Sequence, residues 1–341
     1  MTTEEAETLL QSVYPCREST CVLKMPRAWE ASSVDLSILV PTYNNAAYIE
    51  ESIRSALEQK TEYSFEIIVV NDGSTDGTKE KLNAFAAYAN VIIINQPNGG
   101  VSAARNTALD RAMGEYVLFL DGDDILLPDA AQALMQEAKK NGAAVVEGGY
   151  QMMDLSGSPL ETISHKPGAL NALKDLYGFP CFKVMKRSLW QRFQFPVGLC
   201  FEDSVLAQVL WEKIALDHET AVGIAQPVGG YRVNPSGFSL SSKSRPCCVD
   251  AVWITKTLLH DREKIGLPYS QYYYEHLLDM AALSWVRTEY MEKNVRQAVF
   301  TLYRTFVLEK GFSTTRQRQK KLEQALRENN FSLFEMLSAL S

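Results

Sequence analysis

Between residues 36 and 150 the chain alternates short, almost wholly apolar runs with segments of helical periodicity, and most runs end in a cluster of Asn, Asp, Gly, Pro or Ser. An apolar run of four to eight residues without polar alternation buries both of its faces, as a strand does in a parallel sheet covered by helices. Leu36-Ser37-Ile38-Leu39-Val40 is the first such run, stopped by Pro41, and Phe65–Val70, Val91–Ile94, Tyr116–Leu120 and Ala143–Tyr150 follow. Ile49, Ile53, Ala56 and Leu57 share one helical face after the first run, and Leu82, Phe85 and Ala89 mark a helix after the second. Residues 102–113 form a third helix that ends at Gly114, a natural glycine C-cap, and a fourth opens at Pro128. Strand and helix in this order constrain the chain to an α/β fold with a mainly parallel sheet and helices on both faces.

The pattern loosens after Tyr150. A loop holding Gly157, Pro159, Pro167 and Gly168 precedes a short strand near Phe182–Met185. Residues 201–214 then read as a helix with Val205, Leu206, Val209 and Leu210 inward. From residue 246 to the end the chain is rich in helix formers and poor in glycine, which predicts a C-terminal helical subdomain over 246–341. At the other end, Thr2-Thr3-Glu4-Glu5 has the form of a capping box. Residues 1–35, interrupted by Pro15 and Pro26, are expected to be one lead-in segment packed on the main domain, 36–245.

The net charge of −7 argues against nucleic acid as the main partner, because binding by counterion release needs a basic face. The basic run Arg316, Arg318, Lys320 and Lys321 is read as a solvated helix face. No stretch reaches the ~20 apolar residues of a membrane span, and Glu4, Glu5 and Glu7 replace the basic start of a secretory signal. These features point to the cytoplasm, with room for peripheral association at the inner face of the cell membrane. Cys16, Cys21, Cys181, Cys200, Cys247 and Cys248 form no CxxC pair and are expected to be reduced structural thiols.

In such sheets ligands bind beyond the carboxyl ends of the strands, and there the polar clusters fall. They are Pro41-Thr42-Tyr43-Asn44, Asn71-Asp72-Gly73-Ser74 and Asp121-Gly122-Asp123-Asp124, with Asn98-Gly99-Gly100-Val101-Ser102-Ala103-Ala104-Arg105-Asn106 between the last two. Asp121 and Asp123, two apart in a turn, suit a hard divalent cation that completes its shell with water and substrate phosphate. The first strand lacks a glycine-rich dinucleotide fingerprint, and neither a P-loop nor a GxSxG elbow occurs. The histidines at 165, 218, 260 and 276 lie in no catalytic motif.

Residues from about 36 to 154 resemble the family 2 glycosyltransferases with the Rossmann-like GT-A fold. The likeness rests on VPTYNNAAYIEESIRSAL, EIIVVNDGSTDGT, NGGVSAARNTAL and GEYVLFLDGDD followed by LLPD, and extends more weakly through EGGYQMMD, FPVGLCFEDSVLAQVLW and YRVNPSGFSLS. It is greatest to bacterial polysaccharide, capsule and surface-glycan members. The resemblance implies a nucleotide-sugar-binding half over 36–150 and an acceptor-binding part over 151–245. Tyr43, beside Pro41, would stack on the uracil of a UDP-sugar, Asp72 would accept from its N3–H, and Asn98 and Arg105 would complete the base pocket. Asp121 would bond the ribose and, with Asp123, the Mn²⁺ or Mg²⁺ that bridges the diphosphate. Glu202-Asp203 matches the acidic pair beside the acceptor, with Asp203 as general base, and Arg232 is expected in a loop over the phosphates. The implied reaction is an inverting transfer to a hydroxyl of a glycan or lipid-linked saccharide, and the C-terminal helices leave room for a homo-oligomer. The competing readings are a non-catalytic nucleotide-sugar or carbohydrate-binding module, and a sugar-nucleotide pyrophosphorylase, whose basic, glycine-rich loop after the first strand is missing.

Overall fold

The structure, a computed structural model, describes residues 1–15, 21–234, 245–309 and 311–339. They fall into two compact units, one of Cys21–Val197 with Asp203–Asn234, the other of Met1–Thr20, Gly198–Glu202 and Pro235–Ser341.

The first unit is built on one sheet of ten strands among the described residues. Its strands are β1 (Val34–Thr42), β2 (Phe65–Asn71), β3 (Val91–Asn95), β4 (Gly114–Phe119), β5 (Ile125–Leu126), β6 (Val145–Met153), β7 (Pro159–Ile163), β8 (Gly168–Ala169), β9 (Lys183–Lys186) and β10 (Ala221–Arg232). The order is β3-β2-β1-β4-β9-β6-β10-β5, with β7 on β6 and β8 on β10. It is parallel through β3-β2-β1-β4 and mixed beyond, because β9 runs antiparallel between β4 and β6. Leu36, Ile38, Leu39, Val40, Ile67–Val70 and Val117–Leu120 have no exposed surface, as unalternating apolar runs require. Helix α4 (Val101–Arg111) packs on β1 and β2, and α5 (Ala130–Asn141) on β6 and β10. Helices α2 (Ile49–Leu57) and α3 (Thr78–Leu82) follow β1 and β2.

Three local expectations change. Pro41 does not stop β1, which continues to Thr42 in register with Asn71. Leu39 presents its carbonyl to Leu120 and Thr42 presents its own to Asp72. The missing Pro41 N–H therefore faces the β4 side, where pairing has already ended at Leu39↔Phe119. Gly114 is not a helix cap either: α4 ends at an extended Ala112, and Gly114 starts β4. A Cβ at Gly114 would collide with Ser37 N and the Leu36 carbonyl carbon, so it is the close approach of β4 to β1 that requires glycine. Finally, the helix expected over 201–214 contains a π-helical turn, Leu206–Leu210, before α6 (Trp211–Leu216). Trp211 N–H donates to Leu206 O, five residues back. The extra residue in that turn widens the apolar face, so Val205, Leu206, Val209 and Leu210 are all wholly buried.

The second unit is helical, with α1 (Thr3–Val13), α7 (Asp250–Asp261), α8 (Gln271–Arg287), α9 (Lys293–Leu308), α10 (Lys320–Arg327) and α11 (Phe331–Ser338). The capping box at its start is present, Glu5 N–H on Thr2 Oγ1 at 3.1 Å and Thr2 N–H on Glu5 Oε2 at 2.8 Å. Residues 1–35 do not form one lead-in. Ala6 and Leu10 on the apolar face of α1 are buried in the core that Val252, Leu277, Leu302 and Leu326 share, so α1 joins the helical unit. Residues from Cys21 belong to the sheet unit, where Arg27 Nε binds Asp110 at 2.6 Å. Arg316 pairs with Glu275 at 2.8 Å and Asp279 at 3.0 Å, so the basic run is partly neutralised. Cys21, Cys181, Cys200, Cys247 and Cys248 are free thiols, and Cys16 lies outside the described residues. No helix among the described residues is long and apolar enough to cross a membrane.

The β1–β4 contact gives a direct test. Gly114→Ala should destabilise the chain by about 1–3 kcal/mol, the usual cost of forcing an atom into a filled site. A denaturant midpoint unchanged from the parent would show that the strands can part there without penalty.

Candidate functional site

The loops after β1 and β2 are tied together by short polar side chains. Asn44, at φ 53°, donates its N–H to Ser74 Oγ (2.9 Å) and accepts Thr75 N–H on Oδ1 (2.8 Å). Asn45 N–H reaches Thr78 Oγ1 at 3.0 Å and Ala46 N–H reaches Asp76 Oδ2 at 2.9 Å. Asn and Asp suit this role because their side chains mimic a backbone turn and tolerate left-handed φ. Between these fixed points the Tyr43 ring is left 47% exposed, and Pro41 is buried in β1.

Asp72 performs a different task. Its carboxylate, 2% exposed, accepts Gln96 Nε2–H at 2.7 Å and Gly99 N–H at 2.9 Å on one oxygen, and Gly100 N–H at 2.7 Å on the other. It clamps the Asn98-Gly99-Gly100 segment that enters α4, leaving Asn98 exposed. Gly73, at φ 74°, lets this happen, since a Cβ there would stand 2.8 Å from Asn98 N. Each carboxylate oxygen can take two donors, so Oδ2 keeps capacity for one more.

The acidic turn follows β4. Arg105 projects from α4, is 4% exposed, and sets Nη2 against both oxygens of Asp121 at 3.0 and 3.3 Å, with its guanidinium 5.3 Å from the Phe195 ring. Asp124 N–H closes the turn on Asp121 O at 3.0 Å. Gly122 must be glycine: a Cβ would stand 2.7 Å from Thr42 Oγ1 and 2.8 Å from Asn45 Nδ2. Burial, with the Asp121 charge beside it, pushes Asp123 up to about 6. Asp124, 2% exposed, is driven well above the usual carboxylate range by burial and then by Asp123 and Asp121. The Cys181 thiol is likewise raised by burial, with Asp121 the next cause.

Arg232 backs this turn. It is the last residue of β10, not part of a loop over a ligand, and is 3% exposed. Its N–H binds Asp124 Oδ1 (2.8 Å), Nε binds Asp123 O (2.9 Å), Nη2 binds Glu51 Oε2 (2.8 Å) and Nη1 binds Leu155 O (3.1 Å). Strand pairing of β10 with β6 puts it there, and those contacts occupy its donors. The part of YRVNPSGFSLS beyond Asn234 lies outside the described residues, up to residue 244.

Donor atoms of Asp121, Asp124 and Cys181 all lie within 4.8 Å of one another. The sequence pairs Asp121 with Asp123 as ligands; the fold brings Asp124 and Cys181 close to Asp121 as well. Close, desolvated acidic groups without a matching cation in contact are costly, and Thr42 Oγ1 beside Gly122 is buried without a hydrogen-bond partner. The donor set and that orphaned hydroxyl fit a divalent cation. Asp124 could have been found in the sequence, one residue beyond the pair. Cys181 could not, because it reaches the turn only through an isolated parallel bridge to Phe119, ahead of β9.

Asp203 stands where the π-helical segment starts, its carbonyl accepting Leu206 N–H at 2.9 Å. Its charge is felt by Lys183 on β9, a wholly buried ammonium ion-paired with Glu147. Burial lowers the Lys183 pKa, and Glu147 first, then Cys181 and Asp203, oppose that. Glu202, its neighbour in sequence, belongs to the helical unit, where Arg287 sits 3.7 Å over the ring of Phe201.

The sequence model of Glycosyl transferase family 2 matches residues 37–188. The chain is 32% identical over 210 residues to the putative teichuronic acid biosynthesis glycosyltransferase TuaG of Bacillus subtilis, a match that covers 60% of this chain and 81% of that one. It is 30% identical over 206 residues to WfgD of Escherichia coli, described as a UDP-Glc:alpha-D-GlcNAc-diphosphoundecaprenol beta-1,3-glucosyltransferase, covering 60% and 79%. Among solved structures it is similar to S. aureus TarS 1–349 in complex with UDP-GlcNAc, with a TM-score of 0.68 at 19% identity over 89% of this chain and 90% of that one. The sheet, the acidic turn after β4 and a relative matched over four fifths of its length lead to one conclusion: the chain belongs to glycosyl transferase family 2.

Proposed function

We propose that the chain transfers a sugar from a UDP-sugar to a hydroxyl of a bacterial surface glycan or its lipid-linked precursor, with inversion at the anomeric carbon. The observation that carries this reading is the turn at the carboxyl end of β4, where Arg105 holds Asp121 beside the desolvated Asp123 and Asp124. WfgD is named for a UDP-glucose donor and TarS binds UDP-GlcNAc, which supports the same donor class here. Residues 36–150 serve the nucleotide sugar and 151–245 the acceptor in this scheme.

Tyr43 offers its exposed ring to the uracil, a stacking contact worth ~1–3 kcal/mol, and Asp72 Oδ2 accepts the N3–H while the same carboxylate holds the Gly99 and Gly100 backbone beside Asn98. Arg105 keeps the Asp121 carboxylate turned to the ribose. A divalent cation held by Asp121 with Asp123 and Asp124 would supply neutralisation of the charge that builds on the leaving diphosphate. Arg232 fixes the backbone of that turn from behind. Asp203 takes the proton of the acceptor hydroxyl as that oxygen attacks the anomeric carbon opposite the departing UDP. A carboxylate is already ionised at neutral pH, so the role requires no large pKa shift. Glu202 is assigned to acceptor orientation.

Two measurements test the scheme. Asp203→Asn should lower sugar transfer by about 10²–10⁴, the usual worth of a general base, while UDP affinity stays within about twofold; turnover near the parent rate would remove Asp203 from the role. For the acidic turn the sign follows from proton competition. Asp123 holds its proton up to about 6 in the cation-free chain, so a cation must displace it below that pH. Mn²⁺ affinity should fall by up to about tenfold per pH unit and per proton as pH drops through 6, and Asp123→Asn should remove that part of the slope. Equal Mn²⁺ binding at pH 5 and pH 7 by the parent chain would sink the assignment.

A further inference from the structure

Four aromatic rings on the sheet unit, Tyr150 of β6, Tyr177 and Phe179 of the loop between β8 and β9, and Tyr231 of β10, are partly exposed and packed in one cluster. Tyr177 and Phe179 stack at 5.2 Å with their planes 12° apart. Tyr150 meets them edge-on at 5.9 and 5.6 Å, and meets Tyr231 at 6.4 Å. Beneath, Tyr150 stacks on the buried Phe182 at 5.3 Å. Phe is usually fully buried and Tyr keeps its hydroxyl in contact with water or a partner, so a cluster of both at the surface is a defined amphipathic face.

What holds them at the surface is a buried ionic network. Glu147 and Lys183, both without exposed surface, form an ion pair, and His165 Nε2 lies 2.7 Å from Glu147 Oε2. The network grips the backbone of Tyr177: its N–H donates to Glu147 Oε2 at 3.0 Å, and its carbonyl accepts Lys183 Nζ at 3.1 Å and Trp211 Nε1–H at 3.2 Å. The His165 ring meets the Tyr177 ring edge-on at 4.9 Å. Lys183 also lies 5.0 Å from the Phe179 ring and 5.2 Å from that of Trp211. A buried ion pair is a poor way to gain stability and a good way to fix one geometry. Here it fixes the loop that presents the rings.

We propose that Tyr150, Tyr177, Phe179 and Tyr231 form the binding platform for the acceptor saccharide. A pyranose presents a face of C–H groups that lies flat on an aromatic ring and an edge of hydroxyls for the phenolic oxygens. The platform is joined to the segment that carries Asp203: Trp211, on the helix that follows Asp203, donates Nε1–H to the Tyr177 carbonyl at 3.2 Å, which ties the rings to the element bearing the carboxylate assigned to deprotonate the acceptor. The assignment as an acceptor site rests on the reading of the chain as a transferase given above. Binding of a saccharide to the rings does not.

The test is saturation-transfer NMR on the full chain, irradiating the aromatic protons, with the methyl β-glycosides of glucose, galactose, N-acetylglucosamine and N-acetylgalactosamine as probes. At least one should receive magnetisation at the protons of its apolar face. Tyr177→Leu and Phe179→Leu, which keep apolar volume and the Tyr177 backbone bonds, should each weaken that binding about threefold to tenfold. UDP affinity with Mn²⁺, measured on the same samples, should stay within twofold. No signal from any of the four glycosides on the parent chain overturns the platform, as does a signal that survives whichever Leu variant folds. Failure of UDP to bind the parent chain would instead sink the donor reading and leave the glycoside result standing.

Discussion

The pairing of Arg105 with Asp121 is the contact on which the acidic turn after β4 depends. A nearly buried guanidinium reaches from a helix to the end of the neighbouring strand and neutralises one of three acidic side chains within four residues. Without it the turn would gather carboxylates that repel one another in a poorly hydrated place. With it the remaining two, Asp123 and Asp124, are left short of positive charge, and that deficit is an attraction for a cation. Arg232 does not remove the deficit, since its donors go largely to backbone carbonyls and to Glu51.

How much of this the amino-acid order discloses depends on the range of the interaction. β1 to β4 and their helices are legible because parallel strands buried on both faces write themselves as apolar runs, and the loops after them as turn residues. The positions of Tyr43, Asp72 and Asp121 at strand ends follow from the same logic. What is illegible comes from pairing between distant segments. Neither Cys181 beside Asp121 nor Lys183 beside Glu147 can be read without knowing that β9 inserts antiparallel between β4 and β6. Gly114 resembles a helix stop in sequence; only the approach of β1 reveals its purpose. Arg232 reads as a loop residue in the sequence and stands in a strand, because a glycine-rich segment such as Val228-Gly229-Gly230-Tyr231 hides its β-character. His165 lies in no motif, and its partnership with Glu147 is tertiary.

The two halves of the sheet unit use charge in contrasting ways. At the turn after β4 the acids outnumber the cations in contact with them, and the imbalance is available to a ligand. Around Glu147 the charges are matched and sealed from water, and nothing remains to attract an ion. The first arrangement leaves charge uncompensated; the second holds a loop still, so that side chains rather than charges face outward. Burial is common to both, and partner count separates them.

β9 has an effect out of proportion to its four residues. Lys183, its first residue, pairs with Glu147 beneath the rings, while Phe182 before it turns the backbone at φ 62° and leaves Cys181 beside the acidic turn. A slip of a single residue against β4 and β6 would turn Lys183 away from Glu147 to the opposite face. The short segment therefore works as a ruler between the acidic turn and the aromatic rings: sequence drift can enlarge the loops on either side of it, but the spacing from one to the other is set by its hydrogen-bond ladder.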